Sequence, residues 1–103
     1  MTEQEAIAIV EETLLSDQSI PAKLWMKGGV DEDAVARLEN AMESLIAVFR
    51  ARDHVPKKVA AAFLDLTPDF ERTLDLYSEE EQRRIEDLKL HIISRAHDLL
   101  EPN

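Results

Sequence analysis

With 103 residues and a net charge of −10, the chain has room for one small domain, whose surface repels nucleic acid and anionic membranes at long range. Apolar residues make up 45% and charged residues 33%, too apolar a mixture for a disordered chain. Cysteine is absent, which excludes disulfides, thiolate metal sites and a cysteine nucleophile.

The first element is a helix over about 3–15. Thr2 and Glu5 have capping-box spacing, and Ile7, Val10 and Leu14 follow on one face. Ser16 to Ser19 is a polar break. Pro21 suits the first position of a short helix, 21–27, carrying Leu24, Trp25 and Met26, and Gly28-Gly29 stops it. Asp31 caps the next helix, about 31–52, and Glu32 and Asp33 suit its N-terminal dipole. Its stripe is Val35, Leu38, Met42, Leu45 and Phe49, flanked by Ala34, Ala41 and Val48.

Pro56 opens a helix over 56–66 with Val59, Phe63 and Leu66 on its face. Thr67 as cap and Pro68 at the first position open another, 68–77, with Phe70, Leu74 and Tyr77 inward. Ser78 and Glu81 repeat the capping-box spacing ahead of the last helix, 79–100. Its stripe is Ile85, Leu88, Ile92, Ala96 and Leu99, widened by Ile93 and Leu100. No stretch alternates like a strand. The expectation is all-α: one domain, residues 1–103, a small antiparallel bundle of four to six helices with short connections.

Charge is uneven along the chain. Residues 1–22 hold five acids and no Lys or Arg, residues 23–58 seven bases and six acids, and residues 59–103 eleven acids and five bases. A near-neutral middle thus separates two acidic ends.

Chemistry is sparse. Carboxylate-bridged metal sites in bundles use Glu-x-x-His pairs, but Ala51, Leu88 and Ser94 stand three residues before His54, His91 and His97, so no metal site is expected. Asp87 and His91 read as a solvated pair on the polar face of the last helix, and His97 as a partly buried histidine at the core edge. Asp65 and Asp75 are flanked by leucines, but neighbours on a helix point apart, so both read as surface or capping residues. No Gly-x-Ser-x-Gly elbow and no phosphate loop are present, so no catalytic residue and no cofactor are assigned.

Two features point to contact with a partner. Trp25 and Met26 lie in the least regular segment, flanked by Lys23 and Lys27, as core filler or as an interface anchor. Arg50, Arg52, His54, Lys57 and Lys58 form a positive cluster, of which Arg50, Arg52, Lys57 and Lys58 are the candidate contacts, and Lys57 and Lys58 sit at a helix start, where the dipole disfavours them. The leading expectation is a cytoplasmic, non-catalytic protein-binding domain of adaptor, inhibitor or immunity-like type. It would act through an acidic helical surface, with those six residues as candidate contacts and no direct binding to nucleic acid or membrane. The rivals are a self-associating structural or regulatory domain pairing through the 35–49 stripe, an acidic nucleic-acid mimic, and a metal-binding or enzymatic bundle.

Overall fold

The computed structural model describes residues 1–102. Six helices follow in chain order: α1 Glu3–Leu15, α2 Ile20–Trp25, α3 Glu32–Phe49, α4 Lys57–Ala61, α5 Leu66–Glu71 and α6 Glu79–Leu100, with a single 3-10 turn, Leu74–Leu76, ahead of α6. Among the described residues there is no strand, so the all-α expectation holds.

The caps explain where the long helices begin. The Thr2 hydroxyl accepts from the Glu5 amide at 3.1 Å and the Glu5 carboxylate accepts from the Thr2 amide at 3.3 Å, a complete capping box. The Asp31 carboxylate accepts from the Ala34 amide at 3.1 Å. At α6 the box is half made. The Ser78 oxygen accepts from the Glu81 amide, but the Glu81 carboxylate accepts a hydrogen bond from the Ser78 hydroxyl instead of from the backbone.

The shorter elements depart from the sequence reading for local reasons. α2 starts one residue before Pro21, because Ser19 accepts from the Ala22 amide and sets the cap there. Its left-handed stop is Lys27, at φ 63°, and not Gly28. The Lys27 amide donates to the Leu24 carbonyl and the Gly28 amide to the Lys23 carbonyl, the pattern of a Schellman cap with lysine in the position glycine usually holds. α3 ends at Phe49 rather than 52. α4 ends at Ala61 because the amides of Phe63 and Leu64 reach back only three residues, a tightened 3-10 path. α5 then begins at Leu66, and Thr67 does not cap it; Pro68 lies inside the first turn, where no amide is needed. The expected 68–77 helix breaks at Thr73, whose amide and hydroxyl both engage the Phe70 carbonyl, the hydroxyl at 2.7 Å.

Packing closes a ring: α1 lies on α3, α3 on α6, α6 on α5, α5 on α2 and α2 back on α1, with α4 against α1. The buried side chains fill its centre, among them Val10, Leu24, Leu38, Met42, Leu45, Phe70, Ile85 and Ile92. α1 and α3 are antiparallel, since Glu3 meets Arg52 and Glu12 meets Arg37. α6 runs parallel to α3: Glu32 pairs with Arg84 and Glu39 with His91. The crossover of residues 50–78 is long enough to bring the chain back to the starting end of α3. The two helix N-termini therefore share one end of the molecule and the two C-termini the other.

Candidate protein-interaction surface

On α2, Ile20 and Leu24 are four residues apart and fully buried. The next position along a helix turns about 100° away, so Trp25 faces outward. It is 53% exposed and Met26 is 61% exposed, so Trp25 is not core filler. The Arg72 guanidinium lies over the indole, 5.5 Å from the ring centroid, with the Asp69 carboxylate 3.6 Å from Arg72. Behind Trp25 the backbone is tied down by Tyr77, whose hydroxyl donates to the Leu24 carbonyl at 2.8 Å and accepts from the Gly29 amide at 3.2 Å. The Lys23 ammonium holds the Asp31 carboxylate, and that hydrogen bond keeps the Asp31 carboxyl below its ordinary range.

Acidic residues gather at the same end because α3 and α6 start there. Glu32, Asp33, Glu79, Glu80 and Glu81 are all exposed. Glu81 lines a small hollow of about 60 Å³ with Leu24, Val30 and Tyr77, so the acidic rim adjoins the base of the Trp25 turn.

The four predicted cations lie elsewhere. The N-terminus of α3 is tied to α2 through Lys23 and Asp31, and the eighteen residues of α3 carry the chain about 27 Å away before Arg50. Arg52 pairs with Glu3 at 3.0 Å and lies over the Phe49 ring, and Lys58 approaches Glu11 at 3.7 Å. Arg50 and Lys57 are exposed at the same end. Lys58, at the start of α4, thus faces Glu11 of the acidic α1, which offsets the unfavourable dipole at that position. The six candidate residues form two separate sets, and only Trp25 and Met26 share the apolar surface.

An open groove of about 770 Å³ lies between the C-terminal ends of α3 and α6. Arg50, Arg52 and Arg95 line it together with Glu43, Asp53 and Asp98. Arg95 bonds Asp98 at 3.3 Å, and its Nε is buried with no hydrogen-bond partner among the described residues.

No histidine lines either of these two hollows. His91 pairs with Glu39 of α3 rather than with Asp87. His97 is exposed, not partly buried, and bonds Glu101 at 2.7 Å. Its neighbours Ile93 and Leu100 are themselves only partly covered, so the buried stripe of α6 is narrower than the apolar pattern implied. Among the described residues no three His, Asp or Glu side chains converge as a metal site, and no helix is long and apolar enough to cross a membrane. The 35–49 stripe is used within the fold: Leu38, Met42, Leu45 and Phe49 are buried, so self-association would need another face.

Lys89 is a buried residue that the sequence reading passed over. Only 7% exposed, it pairs with Glu71 of α5 and, at 2.9 Å, with Glu86. Hydrogen bonds to those carboxylates raise the Lys89 ammonium above its ordinary range, and the Lys89 hydrogen bond holds the Glu71 carboxyl below its own. Its position, four after Ile85 and three before Ile92, places it in the buried stripe and was readable from spacing. The contacts of Arg72 with Trp25 and of Tyr77 with Leu24 and Gly29 had no such signal, because those partners are set by the tertiary fold.

Comparison of the chain with protein-family models, curated proteins and solved structures finds no match.

Proposed function

We propose that this domain is a non-catalytic protein-binding module, of adaptor or inhibitor type, that docks through its Trp25 end onto a basic partner. The observation that carries this reading is the exposure of Trp25 beside Met26 in a fold that buries its other large helical stripes. Tryptophan and methionine are enriched at contact surfaces, and tryptophan dominates hot spots because it buries a large area in one residue. The exposed acids Asp33 and Glu79 to Glu81 at the Trp25 end support a basic partner, since negative charge speeds the approach of positive charge. At the opposite end Arg52 and Lys58 pair with Glu3 and Glu11 of α1, which supports placing the docking surface at the Trp25 end.

The test is photo-crosslinking in the source cell's lysate, with a photoreactive residue replacing Met26 or, at the far end, Lys57. A discrete adduct from position 26 is expected, weakened by salt and lost in Trp25→Ala. No adduct from position 26, or the same adducts from both positions, would overturn the reading.

A further inference from the structure

Trp25 is the last residue of a six-residue helix, and an exposed side chain there samples several rotamers unless a neighbour restrains it. The structure supplies a neighbour from a different element. Arg72 follows the last residue of α5, whose Leu66 and Phe70 are buried and whose Glu71 is held by Lys89 of α6. The base of Arg72 is therefore fixed by packing, and its guanidinium reaches across to lie over the indole of α2.

We propose that Arg72 is a positioning residue that pre-organises the Trp25 indole for docking, an inference resting on the protein-binding reading above. A guanidinium within about 6 Å of a ring centroid is attracted by the electrons of the ring face. It covers part of the ring and leaves the indole about half exposed, at 53%, for a partner. Asp69 orients the cation from the same helix. Restraining the ring before contact removes rotamer entropy that would otherwise be lost on binding. Arg72 could instead serve only the C-terminal dipole of α5. Lysine separates the two roles, because it keeps the charge at the helix end but lacks the flat group that stacks.

Trp25 is the only tryptophan, so its indole N–H gives one signal whose ¹⁵N relaxation reports ring order in the free protein. Arg72→Ala is expected to lower that order, shifting the rotamer populations about two- to fivefold, the size of one exposed cation–π contact. The backbone order of residues 20–25 stays unchanged, and Arg72→Lys recovers only part of the loss. Unchanged indole order in Arg72→Ala, or full recovery by lysine, overturns the proposal. Asp69→Ala, which frees the cation without removing it, is a second check: the indole order drops, and a wild-type value counts against the clamp. The crosslinking readout separates the two claims. A loosened indole with an unchanged adduct from position 26 keeps the clamp and removes the docking role of Trp25. An ordered indole with the adduct lost in Trp25→Ala does the reverse.

Discussion

The Tyr77 hydroxyl donates to the carbonyl of Leu24, 53 residues earlier, and accepts from the Gly29 amide. One phenol thus joins both sides of the Trp25 turn to the segment leading into α6. Tyr77→Phe leaves a carbonyl and an amide without this partner. We expect a loss of about 1–2 kcal/mol and a fall in melting temperature of roughly 5–15 °C, read by calorimetry.

Trp25→Ala separates folding from binding. A buried tryptophan would cost about 3–5 kcal/mol on truncation, whereas this half-exposed one is expected to cost about 1 kcal/mol or less. Denaturant unfolding followed by circular dichroism checks the value. A loss in the buried range would show that the ring contributes chiefly to the core.

Lys27 occupies the left-handed region at φ 63°, where a β-carbon is strained. Lys27→Gly is expected to stabilise the domain by about 0.5–1 kcal/mol, the relief of strain exceeding the added freedom of the unfolded chain. Gly29→Ala does the opposite: at φ 76° the added methyl meets open space, but the backbone resists it, with a loss of about 1 kcal/mol. Urea midpoints of the two variants should therefore move in opposite directions.

Lys89 joins α6 to α5 through Glu71 while its aliphatic stem fills the core. Lys89→Ala loses that packing and is expected to destabilise by about 1–3 kcal/mol. Lys89→Met keeps most of the volume and needs no paired charge, so it should lie close to wild type. Thermal melts of the two variants give the comparison.

Acid stability follows from the same pair. Glu71 and Glu12 are held below their ordinary value of 4.5 by hydrogen bonds from Lys89 and Arg37, and Asp31 below 3.8 by Lys23. Folded values below unfolded ones mean that the unfolded chain binds protons first. The stabilisation is complete above about pH 4.5 and is lost as the pH falls through the lower folded values. Lys89 works in the other sense: raised above 10.5, it stabilises below that pH and loses its contribution as the pH climbs through the raised value. Stability plotted against pH should be flat near neutrality and fall below about pH 4.5, less steeply in Glu71→Gln.

The long elements were legible because their signals are local. Capping residues three apart and stripes at helical spacing depend only on neighbours along the chain, so α1 and α6 begin and end where the pattern predicts, and α3 does so to within a few residues. The short elements were less legible. α4 and α5 span barely more than one turn each, and a hydroxyl such as that of Thr73 is enough to redirect the path. Trp25 stood out in the sequence as an anchor or a core residue, and its neighbours Leu24 and Met26 are equally apolar, so composition alone could not choose its side.

By itself, the sequence determined the helical class, the capped starts of the long helices and the central residues of the buried stripes, since each follows from interactions within a few residues. The tertiary structure alone decided that α6 returns parallel to α3, that Lys58 of α4 meets Glu11 of α1, and that Trp25 points outward beneath Arg72. Those outcomes depend on pairs separated by about 25 to 55 positions, such as Arg37 with Glu12 and Tyr77 with Leu24. Only closure of the whole ring of helices brings such groups within reach of one another.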